Sequence, residues 1–142
     1  ILPMRDPTQQ FIDPSQACPI TFNIYPGADN EFDLYLDDGL SAMPAPHRLV
    51  RISHQGIAGG QQIRVRRLAD DYTPPETFYY VSLLGTNAPA SVTSSGQPLP
   101  NVGTPQALTA SATNAYYYNP TIKQTFLKII DNAPDITMEA VF

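Results

Sequence analysis

The sequence predicts an all-β protein, an antiparallel β-sandwich of immunoglobulin-like architecture with roughly eight to ten strands. Three observations carry this. Apolar residues recur at spacing two within short windows, clusters of turn-forming residues separate those windows, and fifteen prolines and eight glycines break nearly every stretch of helical length. A chain of 142 residues is also long enough to bury most of its unfolded surface in one core.

The elements follow in order. Ile20–Tyr25 alternates strictly, with Ile20, Phe22 and Ile24 on one face and Thr21, Asn23 and Tyr25 on the other. Pro26-Gly27-Ala28-Asp29-Asn30 supplies turn chemistry, because proline presets φ, glycine permits positive φ and Asp or Asn side chains bond nearby backbone. Phe32–Leu36 repeats the spacing of two and runs into Asp37-Asp38-Gly39, a second turn signal. The whole segment therefore reads as a β-hairpin. Further strands are expected at Arg48–Ser53, Gln61–Leu68 and Thr77–Leu84, with Gly56, Gly59 and Gly60 read as turn residues. From Gly85 to Asn114 the composition shifts to Ser, Thr, Ala, Gly and Pro. A structureless loop of that length is unusual inside a compact domain, so two short strands are placed near Ala90–Thr93 and Gln106–Ser111. Thr121–Ile130 fits a short helix or a strand by period, and its β-branched content favours strand. Ile136–Phe142 closes the chain as a terminal strand.

Composition narrows the function classes. The net charge is −5 and no basic run exceeds Arg66-Arg67, which disfavours phosphate backbones and hence nucleic acid as partner. No stretch approaches the roughly 18 consecutive apolar residues of a membrane helix, so no membrane partner is expected. The chain opens on Ile1-Leu-Pro-Met-Arg-Asp6, without the pattern of a signal peptide or an initiator methionine, and an excised piece of a longer protein is the expectation. Cys18 stands alone, which excludes an internal disulfide or a cysteine-based zinc site, and it reads as a small inert apolar residue.

The segment Ile24-Tyr-Pro-Gly-Ala-Asp-Asn-Glu-Phe-Asp-Leu-Tyr-Leu-Asp-Asp-Gly39 resembles the opening of the distal C-terminal β-sandwich of family 31 glycoside hydrolases. That family's pattern is an apolar strand, Tyr-Pro-Gly, a polar turn, then Phe-x-Leu-Tyr-x-Asp-Asp-Gly. Ile1-Leu-Pro-Met4 is similar to the end of the family's preceding proximal domain. Thr77–Leu84 with Gly85, Pro89, Val92 and Gly96, and Tyr118-Asn-Pro120 with Phe126-Leu-Lys-Ile129, resemble its later strands. Leu36 stands where the family commonly has Glu, a departure that marks a divergent member. The resemblance implies that residues 1–19 end the proximal domain and its linker, and that residues 20–142 form the distal sandwich. It also implies an absence. The family's catalytic aspartates sit on a (β/α)8 barrel, which so β-rich a chain cannot build, so the chain alone is expected to be no enzyme. Its parent would act on α-glycosidic bonds, by retaining hydrolysis, glycosyl transfer or elimination. The expected partners are that barrel and the proximal domain.

Candidate sites weigh toward structure. Asp37 and Asp38 are adjacent, so in a strand their carboxylates would point to opposite faces and could not flank one sugar. Gly27, Asp29, Asp37, Asp38 and Gly39 are read as turn residues. The acidic set Asp29, Glu31, Asp33, Asp37 and Asp38 misses the EF-hand spacing, and His47 and His54 lack a third ligand; no metal and no cofactor are expected. Both histidines read as solvated loop or strand-end residues. Tyr79, Tyr80, Tyr116, Tyr117 and Tyr118 offer rings for core packing, interdomain packing or stacking on sugar. Three functions follow. The first is a structural accessory domain, the second a carbohydrate-binding module for α-glucans, and the third an immunoglobulin-like adhesion or surface module.

Overall fold

The computed structural model describes residues 1–5, 16–42 and 45–142. Most of the predicted linker, residues 6–15, lies outside the described residues. Two sheets pack face to face. The first has five strands in the order β1 (Leu2–Met4), β2 (Thr21–Ile24), β6 (Phe78–Leu84), β10 (Gln124–Ile130) and β9 (Ala115–Asn119). The second has six, β3 (Asn30–Leu36), β4 (Arg48–Ile57), β5 (Gly60–Asp70), β11 (Asp135–Val141), β7 (Ser91–Ser94) and β8 (Gln97–Pro98). One helix, α1 (Pro105–Ala110), lies between β8 and β9 in the chain. The architecture is the expected all-β sandwich, with eleven strands among the described residues once the three-residue β1 and two-residue β8 are counted.

Alternation along the strands places the core. Phe22 and Ile24 of β2, Val81 and Leu83 of β6, and Leu127 and Ile129 of β10 point inward from one sheet. Val50, Ile52, Ile63, Val65, Met138 and Ala140 meet them from the other. Phe22 bridges the layers, its ring centroid 5.9 Å from Tyr79 beside it and 6.4 Å from Phe32 of the opposite sheet. Fully burying each such side chain contributes about 1.5–3 kcal/mol.

Three expectations are corrected. The Ile24–Gly39 segment is no hairpin, because β2 pairs with β1 and, in parallel, with β6, whereas β3 pairs with β4. The Pro26–Asp29 turn carries the chain across from one sheet to the other. Both strands have an apolar face, and burying both is satisfied by two facing layers as well as by one ladder. The strand placed at Gln106–Ser111 is instead α1. Thr104 caps it, accepting Ala107 N–H at 3.2 Å, and Pro105 occupies its first turn, where the missing N–H costs nothing. Thr-Pro ahead of Gln-Ala-Leu is the signal that marks this start. Finally, Gly56 and Gly60 lie within strands; the β4–β5 connection is Ala58-Gly59, with Gly59 at φ 71°.

Candidate functional site

The two outer faces of the sandwich differ in chemistry. On the six-stranded sheet, Arg51 grips Asp33 directly across the ladder with two 2.7 Å hydrogen bonds, which hold the Asp33 carboxyl below its usual range. Arg64 likewise donates twice to Asp135 on β11, diagonally across the β5–β11 ladder, and holds that carboxyl below its usual range. That face is charged, internally neutralised and well solvated. The five-stranded sheet turns out Leu2, Met4, Phe78, Tyr80, Tyr117 and Phe126 instead. Leu2 and Met4, on the edge strand, remain 47% and 45% exposed.

Helix α1 covers one end of this apolar face. Lys128, buried in the middle of β10, donates from Nζ to Thr109 O and Ser111 O, both at 2.7 Å, and stands 4.3 Å above the Phe78 ring. It thus satisfies carbonyls at the helix C-terminus that would otherwise lack donors. Burial pushes its ammonium below the usual lysine range. Beside the helix a cavity of about 240 Å³ is lined by Thr21, Tyr80, Leu108, Tyr117, Asn119 and Phe126, among others. Tyr117 and Phe126 are direct cross-strand neighbours whose rings lie within 14° of parallel, with centroids 6.1 Å apart. Tyr80 Oη approaches Thr109 Oγ1 at 3.5 Å.

The five tyrosines singled out from sequence therefore separate. Tyr79 is fully buried between the sheets, where burial holds its phenol well above the ordinary range. Tyr116 is buried too, and Tyr118 faces the core side and donates to Thr86 O at 3.3 Å. Tyr79 and Tyr116 present no ring for stacking on sugar, and Tyr118 is partly buried on the side away from the cavity. Only Tyr80 and Tyr117 reach the outer cavity, and their neighbour Phe126 was not singled out because Thr121–Ile130 has no clean alternation.

The turn residues occupy two places. Asp29 reaches β4, where its Oδ1 accepts Gly56 N–H at 2.8 Å, and Gly27 sits in the crossing turn at φ 156°. Asp37 and Asp38 lie beyond the end of β3, so strand alternation does not apply to them. Asp37 accepts Gly39 N–H at 3.0 Å. Asp38 accepts Leu40 N–H and Ser41 N–H at 3.0 and 2.9 Å and Ser41 Oγ–H at 2.5 Å. Gly39 takes φ 65°, in the left-handed region, and Leu40 projects from the tip at 84% exposure. Arg5 lines the same hollow as Leu40, and it joins Glu76 at 3.0 Å and Cys18 O at 2.8 Å. Cys18 is buried there. His54 corrects the reading of a solvated strand-end residue: it is buried inside β4, whereas His47 stacks on Tyr35 at 4.9 Å.

No family model matches the chain, and no curated protein matches it by sequence. Solved structures do. The GH31 dextranase FjDex31A of Flavobacterium johnsoniae, solved with glucose, superposes on 99% of this chain with a TM-score of 0.88 at 23% identity. This chain has the fold of a β-sandwich domain of GH31 enzymes. The match spans only 19% of the dextranase chain. The cycloalternan-forming enzyme of Listeria monocytogenes, solved with a pentasaccharide substrate, matches 91% of this chain and 11% of its own at a TM-score of 0.68 and 20% identity. In both, the matched region is a small part of a much larger chain. Among the described residues of this chain there is one helix, and it has six residues, so no (β/α)8 barrel is built here. No helix among them is long and apolar enough to cross a membrane.

Proposed function

We propose that the chain is the non-catalytic C-terminal accessory domain of a GH31 enzyme, and that it supports the catalytic barrel structurally. The observation that carries this is the near-complete superposition of the chain on a fifth of a GH31 dextranase, with no barrel among the chain's described residues. On this reading residues 1–19 end the proximal domain and its linker, and residues 20–142 are the accessory sandwich. The parent acts on α-glycosidic bonds. Its proximal domain and barrel are the partners, and the exposed apolar margin of Leu2, Met4 and Leu40, beside Arg5, is the surface offered to them.

The test is deletion of residues 20–142 from the full-length parent. A lower melting temperature is expected, with loss of activity in step with loss of folded protein. A parent that keeps both its activity and its melting temperature after deletion would sink the reading. Of the other two functions, α-glucan binding has a specific observation in its favour, the paired Tyr117 and Phe126 rings beside hydroxyl and amide groups. Nothing comparable favours an adhesion module.

A further inference from the structure

We propose that the cavity between α1 and the outer face of the five-stranded sheet binds one neutral hexopyranosyl unit. This goes beyond the accessory reading, and either can fail without the other.

The inference rests on the two-sided chemistry of the cavity. A pyranose ring has apolar C–H faces and a rim of hydroxyls, so its site needs a flat aromatic surface edged by donors and acceptors. Tyr117 and Phe126 supply the surface. Their 14° tilt makes them nearly parallel, and a centroid separation of 6.1 Å prevents full mutual overlap, so ring surface is left to line the cavity. Tyr80, Leu108 and Pro105 form the remaining wall. The edge is polar. Asn119 accepts Thr121 N–H through Oδ1 at 3.0 Å, which orients the amide and leaves Nδ2 to donate. Thr109 Oγ1 already bonds Pro105 O at 3.1 Å and so is held in place, and Thr21 contributes a hydroxyl from β2. An aliphatic side chain docking here would leave Asn119 Nδ2 and the Thr21 hydroxyl without a ligand partner, whereas a sugar hydroxyl rim satisfies them.

Charge and size define the class further. Among the described residues, no ionisable acid or base other than tyrosine lines the cavity. The nearby cation, Lys128, is not part of the lining and directs two of its three donors to Thr109 O and Ser111 O. With no charged group in the lining to pair with a carboxylate or phosphate, the ligand is neutral. At about 240 Å³ the cavity falls below the range of drug-sized sites, roughly 300–1,000 Å³, and suits a single ring, either a free monosaccharide or one unit of a chain. The Lys128 bonds also fix α1 before any ligand arrives, which lowers the ordering cost of binding.

The 142-residue chain contains eight tyrosines and no tryptophan, so its intrinsic emission reports tyrosine directly. Titration with glucose, maltotriose, isomaltotriose and glucuronic acid, followed by emission and by NMR of the rings and amides, tests the site. Saturable changes at millimolar neutral sugar are expected at Tyr80, Tyr117 and Asn119, with glucuronic acid weaker. A free-monosaccharide site responds equally to glucose and the trisaccharides, and a chain-unit site favours one trisaccharide. Tyr117→Ala should weaken binding about tenfold, while Tyr117→Phe, which keeps the ring and the fold, retains it. Tyr35→Ala, on the charged sheet, leaves binding unchanged. Absence of a saturable response to any neutral sugar overturns the proposal, as does a response undiminished in Tyr117→Ala. Silence toward sugars, together with a lower melting temperature of the full-length parent on Phe126→Lys, would show instead that the parent's own side chains fill the cavity.

Discussion

Asp38 shows how much local structure one carboxylate can organise. It accepts from the Ser41 hydroxyl and from the Ser41 and Leu40 amides, and these bonds lower its pKa from 3.8 to about 2. Because the folded value lies below the unfolded one, its contribution is complete above about pH 4 and is lost as pH falls through 2. An NMR titration of the carboxyl should therefore find a midpoint near 2. Asp38→Asn should flatten the acid limb of the stability curve in that window. A midpoint near the ordinary Asp value would mean that the loop is not held this way. Gly60 has a different role, since it is not a turn residue at all. A Cβ there would meet Ala140 O at 2.2 Å and Val141 Cα at 3.0 Å, backbone atoms of β11 that cannot swing aside. Gly60→Ala is expected to destabilise by about 1–3 kcal/mol in chemical denaturation. The sequence marks Gly60 as special but not why, because its constraint comes from a strand some eighty positions away.

At the scale of elements, the most instructive case is the apparent hairpin. Its period and most of its turn residues were legible in the sequence, yet β2 and β3 ended in different layers. A hairpin and a sheet-crossing corner demand the same turn residues and the same alternation, and what separates them is which neighbour each edge finds. The layers are also tied by charge. Arg48, at the start of β4, donates to Asp70 at 2.6 Å and to Asp131, just past β10 of the other sheet, at 2.8 Å. Arg67 of β5 reaches the same two carboxylates at 3.0 Å each. Asp131 is nearly inaccessible, so removing a partner leaves a buried charge. Arg48→Ala should cost about 3–5 kcal/mol, while a double replacement by apolar residues of similar volume at Arg48 and Asp131 should cost less. Equal losses in urea unfolding would refute the buried-charge account. Nothing in the chain announces this network, whose members are drawn from three separate segments.

Across the whole molecule, the asymmetry of the two outer faces decides what the domain can do. The six-stranded sheet satisfies its own charges, and the five-stranded sheet leaves apolar surface uncovered. Replacing Leu2, Met4 and Leu40 together by Ser should change the isolated chain's stability by no more than about 0.5 kcal/mol per site, because exposed residues contribute little to folding. The same triple change should lower the melting temperature of the full-length parent if the margin docks there. Scanning calorimetry of both proteins separates the two effects. An unchanged parent would remove this margin from the accessory role.

The sequence by itself determined the fold class and the inward residues Phe22 and Ile24, Ile63 and Val65, and Ile136, Met138 and Ala140, because alternation is a local property of the chain. It also carried the likeness to GH31 sandwiches through Ile24–Gly39. Tertiary structure alone decided the partner of each strand, the helix that covers the Lys128 end of the sheet, and which tyrosines face outward. Those outcomes depend on contacts between residues far apart in the chain, and a period of two says only that a side chain leaves one face of its strand. Whether that face meets the core, a helix or an open cavity is set by what packs against it.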